Sequence, residues 1–159
     1  MNLILFDDSA WENLLPLTFA RPVSDLRSGI LTIARKWEMI FESGCSHITQ
    51  PHLASRYPLN IAEDNLLING SLLPDDPLVS RIREMPAGSA LKKEDILLAV
   101  SAGKEDAAAF EPEPWMARAS TYSGPVSRID QLWKIFTLNG QEIRADFERI
   151  TRNRKSEPL

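Results

Sequence analysis

Three short runs rich in apolar residues restrict the folds open to this chain. They are Leu3–Phe6, Asn65–Gly70 and Ile96–Val100, and polar residues bound each of them. A continuous apolar run of this length is typical of a strand buried on both faces of a sheet. Because segments with helical spacing separate the runs, the sequence predicts an α/β fold of three layers, with a mostly parallel sheet and helices on both faces.

The first predicted helix follows the opening strand. Leu26, Ile30, Ile33 and Trp37 are three or four residues apart, which predicts a helix of about four turns starting near Ser24 or Ser28. Further expected elements are a strand over 46–49, helices over 51–57, 75–84 and 104–110, and two last helices separated by Asn139-Gly140. The prolines in 111–114 predict a loop or an extended linker there.

Composition narrows the class of protein. The 159 residues fit one domain, and the net charge of −4 gives no overall field for holding nucleic acid. A single cysteine, Cys45, excludes an intrachain disulfide. We find no signal peptide and no apolar stretch long enough to span a membrane, so we expect a cytoplasmic protein.

The segment after the first strand is rich in groups that bind anions. Arg21 and Arg27 offer forked donors, Gly29 permits close backbone approach, Thr32 offers a hydroxyl and Lys36 a compact positive charge. This combination favours a phosphate site at the first crossing from strand to helix. The alternative is that the charges are solvated and that Gly29 only packs against a strand.

Asp7 and Asp8 end the first strand, where a magnesium ligand or a substrate contact is expected in such a sheet. Adjacent strand residues point to opposite faces, so at most one of the two reaches a common site. Turn formation or helix capping is the alternative. Phosphate-loop, dinucleotide-binding and serine-hydrolase motifs are all missing from the sequence.

Five segments together resemble a known family. They are residues 3–8, 13–22, 25–32, 36–38 and 139–147, and they are similar to the amino-terminal part of the sugar nucleotidyltransferases described as GlmU-like in Bacteroidetes-type bacteria. The resemblance implies a reduced, Rossmann-like nucleotidyltransferase fold over 1–150. In that family a left-handed β-helix of hexapeptide repeats commonly follows, so 151–159 is expected to be a linker toward such a domain.

The resemblance also implies an activity. A sugar 1-phosphate would attack the α-phosphorus of a nucleoside triphosphate and release pyrophosphate, with Mg²⁺ as cofactor. Arg27 and Lys36 are the implied catalytic residues, and the implied nucleotide-binding residues are Arg21, Arg27, Gly29, Thr32, Asn69 and Gly70. Asp8, Asp75 and Asp76 are the candidate metal ligands, because Ser71 stands where relatives carry an acid.

Two alternatives remain open at this point. One is a catalytically degenerate domain that binds nucleotide without turnover. The other is a scaffolding or interaction domain for a hexapeptide-repeat acyltransferase, whose terminal helices and basic tail dock a partner or a second copy. Neither nucleic acid nor membrane is an expected partner, and a homo-oligomer is favoured where a repeat domain is present.

Overall fold

The computed structural model describes residues 1–152. The strands are β1 (Asn2–Phe6), β2 (Cys45–Ile48), β3 (Asp64–Asn69), β4 (Leu72–Leu73), β5 (Ala90–Lys93), β6 (Ile96–Gly103), β7 (Ser120–Thr121) and β8 (Ser127–Arg128). The α-helices are α1 (Ala10–Asn13), α2 (Ile33–Phe41), α3 (Asp76–Arg83), α4 (Lys104–Ala108), α5 (Pro112–Arg118), α6 (Leu132–Thr137) and α7 (Asn139–Thr151). Two short 3₁₀ turns cover Val23–Asp25 and Pro51–Leu53.

The central sheet has six strands in the order β2-β1-β3-β6-β5-β7. β1 pairs in parallel with β2 and β3, and β5 pairs in parallel with β7. β6 is antiparallel to both of its neighbours. A two-residue turn at Glu94-Asp95 joins β5 to β6, and so short a connection permits only antiparallel pairing. The predicted mostly parallel α/β sheet is confirmed, with β6 as the exception.

The side chains of alternate residues in the central strands pack into two separate hydrophobic cores. Leu3 and Leu5 of β1 pack in a cluster with Trp37 of α2 and Leu78 of α3. Ile4 and Phe6 pack in the other cluster, together with Ala107 of α4 and Trp115 of α5. Since successive side chains on a strand point to opposite faces, helices cover both sides of the sheet. The predicted three-layer arrangement is therefore confirmed.

The helix α2 is shorter than the sequence predicts. It begins at Ile33 rather than near Ser24 or Ser28. The Thr32 side chain accepts a hydrogen bond from Arg35 N at 3.2 Å, which caps the helix, and Gly29 has a φ of +84° that no α-helix accommodates. Before Thr32, Leu26 is buried and Ile30 half-buried without an α-helix, so helical spacing alone does not establish a helix here.

The prediction of a loop over 111–114 is wrong. Pro112 and Pro114 lie in the first turn of α5. The first N–H groups of a helix have no intrahelical partner, so proline loses nothing there. Trp115, the next residue, is buried.

The last helices of the described residues are α6 and α7, which are separated at Leu138 rather than at Asn139-Gly140. Thr151 of the predicted linker 151–159 is still helical, and 153–159 lie outside the described residues. The helix predicted over 51–57 is limited to the 3₁₀ turn Pro51–Leu53. Within residues 1–152, no helix has both the length and the apolar character needed to cross a membrane.

Candidate functional site

The carboxyl ends of β1 and β3 lie side by side. Phe6 is in register with Asn69, which brings the Asp7-Asp8 pair next to Gly70. Ligands of α/β sheets bind beyond the carboxyl ends of the strands, so this edge, called here the β1/β3 edge, is the candidate site. The sequence predictions Asp8, Asn69 and Gly70 converge here.

Asp8 is held at this edge by several donors. Asn69 Nδ2 donates to Asp8 Oδ2 at 2.8 Å, and Arg128 Nη2 contacts Oδ1 at 3.1 Å and Oδ2 at 2.8 Å. Asp8 Oδ1 also accepts a hydrogen bond from Ala10 N at 2.9 Å, which agrees with the capping alternative. The carboxylate is therefore fixed in position, and its charge is balanced by a guanidinium.

Arg128 reaches the edge from the far end of the chain. Its strand, β8, pairs with β4, and Ile129 N donates to Ser71 O at 2.8 Å. The side chain is buried, and its Nε lies 3.7 Å from Asp130 Oδ2 without a hydrogen-bond partner among the described residues. Arg128 thus supplies a buried positive charge behind Asp8.

The Asn69 side chain links the end of β3 by hydrogen bonds to Asp8 and to β6. Its Oδ1 accepts from Ser71 N at 3.0 Å and from Ser71 Oγ at 2.7 Å, and its Nδ2 also donates to Leu97 O at 3.1 Å. Both Asn69 and Ser71 are buried. Gly70 packs closely against β1, because a Cβ there would lie 3.2 Å from Phe6 O. The residue that follows Gly70 at this edge is Ser71, where relatives carry an acid.

Asp7 points to the opposite side of the edge from Asp8, as strand alternation predicts. Its Oδ1 accepts from Val23 N at 2.9 Å and its Oδ2 from Thr49 Oγ1 at 2.6 Å. Burial raises the pKa of Asp7 from 3.8 to about 6, although both hydrogen bonds act in the other direction. Asp7 ties the segment after α1 to the end of β2.

A cleft of about 410 Å³ opens beside Asp8. Its floor is apolar, from Phe6 and Leu97, and its rim carries carboxylates. The lining residues are Phe6, Asp8, Ser9, Asn69, Asp95, Leu97, Pro112, Glu113 and Met116. Carboxylate and amide groups around an apolar floor suit hydrogen bonding to the hydroxyls of a sugar or a ribose.

The candidate metal ligands do not fit a Mg²⁺ site as they are arranged. The oxygens of Asp8 already accept from Asn69, Arg128 and Ala10. Asp75 caps α3 by accepting from Leu78 N at 2.8 Å, and it lines a different groove together with Asp76. Within residues 1–152, no group of three or more His, Cys, Asp or Glu residues is placed to hold a metal ion.

Lys36 is not available to a ligand, contrary to its predicted catalytic role. It is fully buried, and its Nζ lies 2.5 Å from Glu142 Oε2 and 3.0 Å from Asp146 Oδ2. Asp146 Oδ2 also accepts from Ile30 N at 2.9 Å and Leu31 N at 3.0 Å. The anion that this segment binds is a carboxylate of its own chain.

Gly29 and Thr32 likewise have structural partners. Gly29 N donates to Asn139 Oδ1 at 2.9 Å, and a Cβ at Gly29 would lie 2.7 Å from Asp146 Oδ2. Thr32 caps α2. The alternative that Gly29 serves packing therefore has direct structural support, although its neighbour is α7 rather than a strand.

Arg21 and Arg27 are exposed, as a phosphate-binding role requires. The Arg27 guanidinium contacts Ile30 O. Arg27 and Thr32 line a second cleft of about 380 Å³, together with Arg35 and His47. Of the predicted site residues, Arg27 and Thr32 thus lie at this second cleft, and Asp8, Asn69 and Gly70 lie at the β1/β3 edge.

Sequence analysis missed Arg128. It lies 120 residues from Asp8, and no local motif marks it. The only signal is a basic residue directly before a buried apolar residue, Ile129, in an otherwise polar stretch.

Comparisons with known proteins identify the family. A model of the sugar nucleotidyl transferase family matches residues 3–155, and the chain belongs to this family. Among solved structures, the chain is similar to a candidate glucose-1-phosphate thymidylyltransferase from Bacillus anthracis in complex with sucrose. The identity is 11%, the match covers 99% of this chain and 98% of the other, and the TM-score is 0.44. No curated protein sequence matches the chain.

Proposed function

We propose that this domain transfers a nucleotidyl group from a nucleoside triphosphate to a sugar 1-phosphate at the β1/β3 edge. The observation that carries the proposal is the convergence of Asp8, Asn69 and Arg128 beyond two parallel strands, in a chain of the sugar nucleotidyl transferase family. The narrower GlmU-like assignment, which rests on the sequence resemblance alone, is part of the same proposal.

In this reaction an oxygen of the sugar 1-phosphate forms a bond to the α-phosphorus while the bond to the β-phosphate bridge breaks. The β- and γ-phosphates leave together as pyrophosphate, and the sugar 1-phosphate is itself the nucleophile, so no side chain has to act as one. The demand on the protein is to hold both substrates in line and to offset negative charge.

We assign this work to two sets of residues, the β1/β3 edge with its cleft and the exposed Arg21 and Arg27, of which Arg27 lines the second cleft. Asp95 and Glu113 present carboxylate acceptors to hydroxyls in the cleft, and Asp8, held by Arg128 and Asn69, fixes the edge beside them. The exposed Arg21 and Arg27 are the proposed phosphate contacts, because a guanidinium matches phosphate oxygens bidentately. Arg21 and Arg27 take the place of Lys36 in this scheme, because Lys36 forms buried ion pairs with Glu142 and Asp146.

A second candidate is a domain that binds nucleotide without turnover. The specific observation in its favour is that Ser71 follows Gly70 and donates to Asn69, while Asp8, the carboxylate that Asn69 contacts, already accepts from Arg128. Under this proposal the cleft is retained for binding, and the group that organises transfer is missing.

The test is pyrophosphate release across a panel of nucleoside triphosphates and sugar 1-phosphates, with binding followed by calorimetry. Transfer predicts release with at least one pair, and Asp8→Asn lowers it at least about tenfold, since a charge-assisted contact of about 1.5–3 kcal/mol is lost. Asp76→Asn, an exposed acid outside the cleft, is the matched control. Binding without release supports the second candidate, and a folded protein that neither binds nor turns over contradicts both.

A further inference from the structure

The last two helices of the described chain act as one nearly continuous helix. Leu138, which separates α6 from α7, keeps right-handed helical dihedrals of φ −89° and ψ −13°. Hydrogen bonds of 3.0 Å from Leu138 N to Lys134 O and from Glu142 N to Leu138 O cross the break. One face of this 132–151 helix contacts the domain through Ile135, Leu138 and the buried Asp146.

The opposite face carries apolar side chains that nothing in residues 1–152 covers. Trp133 is 62% exposed, Phe136 80%, Ile143 42% and Phe147 60%. With Gly140 and Ile150 these residues form a row, called here the 133–150 seam: Trp133, Phe136, Gly140, Ile143, Phe147 and Ile150. Their separations alternate between three and four residues, which is the spacing of a seam that packs against another helix in a coiled coil.

We propose that the 133–150 seam pairs with the same seam of a second copy of this chain, antiparallel and about a two-fold axis. A single register pairs every residue of the seam with a residue of the partner's seam. It places Trp133 opposite the partner's Ile150, Phe136 opposite the partner's Phe147, and Gly140 opposite the partner's Ile143. Such a contact uses the same surface on both copies and closes as a dimer.

The fit at Gly140 favours this orientation. A Cβ at Gly140 would meet no atom within 4 Å, so the position leaves room for a side chain of another molecule. In the antiparallel register the partner's Ile143 fills that room. A parallel pair would place two Gly140 residues opposite each other and leave a gap, which costs the packing contacts of both.

The size and charge of the seam also suit a second copy. Three aromatic side chains from each copy bury roughly 150–250 Å² each when fully covered, which supplies much of the about 1,200 Å² of the smaller stable interfaces. The edge beside the seam carries Thr137, Arg144 and Thr151, so each copy brings one charge to that edge. In the antiparallel pair this edge meets the same edge of the second copy, so Arg144 lies near the partner's Arg144, a single exposed like-charge pair whose repulsion is screened by water and salt.

Sedimentation equilibrium of the full chain tests the dimer. We expect the wild type to form a dimer within the concentration range up to about 100 µM. Phe136→Glu is expected to raise the dissociation constant at least about tenfold, because it buries a charge in the seam. Phe19→Glu is the matched control, since Phe19 is an aromatic residue 67% exposed away from the seam. A wild-type monomer throughout that range, or a Phe136→Glu variant that associates like the wild type, overturns the proposal.

Thiol crosslinking tests the orientation. On a Cys45→Ser background, Phe136→Cys and Phe147→Cys are purified separately and then mixed with a short crosslinker. The antiparallel register predicts efficient crosslinking only in the mixture, because identical positions are about 16 Å apart along the axis. Efficient crosslinking of each variant with itself indicates a parallel pair and overturns the antiparallel proposal.

Discussion

At the scale of single residues, burial decides what a charged side chain does. Lys36 and Arg27 have equal standing in the sequence as anion-binding groups, but Lys36 is buried against two carboxylates, whereas Arg27 is exposed. The partners of Lys36 lie more than 100 residues away, so the helical pattern around it could not reveal them. The strand alternation of Asp7 and Asp8, by contrast, is a local property and was predictable.

Replacing Lys36 by Met is expected to destabilise the fold by about 3–5 kcal/mol, because Glu142 is left as an uncompensated buried charge, whereas Asp146 keeps its ion pair with Arg149. Urea unfolding at pH 7 measures the change. Arg35→Ala removes a neighbouring cation from a mostly exposed pair with Glu38 and should cost less than about 1 kcal/mol. Equal effects of the two substitutions would show that Lys36 is solvated.

Asp7 predicts a pH dependence of stability. Its folded pKa of about 6 lies above its ordinary value of 3.8, so the folded state holds the proton more tightly. The associated stabilisation is complete below pH 4 and is lost as the pH rises to about 6. Relative to Asp7→Asn, the wild type should therefore lose about 2–3 kcal/mol of unfolding free energy between pH 4 and 7.

Urea unfolding at several pH values, applied to both proteins, measures that difference. Asp76→Asn, which changes an exposed carboxylate, serves as the control. A constant difference between wild type and Asp7→Asn over the whole range would mean that Asp7 titrates normally in the folded protein.

At the scale of elements, apolar runs predicted the strands well and the helix boundaries poorly. β1, β3 and β6 follow the three runs closely, because a buried strand is specified by its own residues. The start of α2 depends on the Thr32 cap and on contacts of Gly29 with α7, which the local pattern does not contain. The prolines of α5 predict a loop from the sequence, but they lie in the first turn of a helix, where proline is tolerated. Their effect therefore depends on the helix position that they occupy.

Gly29 and Gly88 give a matched test of the contact with α7. Both have positive φ, of +84° and +73°, but only at Gly29 would a Cβ meet other atoms, at 2.7 Å. Gly88→Ala is expected to cost about 1–2 kcal/mol from the backbone conformation alone. Gly29→Ala should cost at least about 2 kcal/mol more, because α7 must shift. Equal losses in thermal or urea unfolding would place α7 away from Gly29.

At the scale of the whole molecule, the fold brings sequence-distant groups to one edge. The α/β class and the sugar nucleotidyl transferase family followed from the sequence and its resemblance, and the proposed site residues Asp8, Asn69 and Gly70 lie together at the β1/β3 edge. Arg128 and the 133–150 seam did not follow from the sequence, since the first needs the β4–β8 pairing and the second needs the exposed fractions of side chains. Long-range pairing is the information that local patterns lack.

Amide chemical-shift changes on titration with nucleoside triphosphate and sugar 1-phosphate test the central claim most directly, because they locate binding residue by residue. The largest changes are expected in the segments that form the β1/β3 edge and its cleft, 7–9, 69–71, 95–97 and 112–116. Smaller changes are expected at Arg21 and Arg27. Changes confined to the second cleft around Thr32, Arg35 and His47, or no changes with saturating ligand, would contradict a site at the β1/β3 edge.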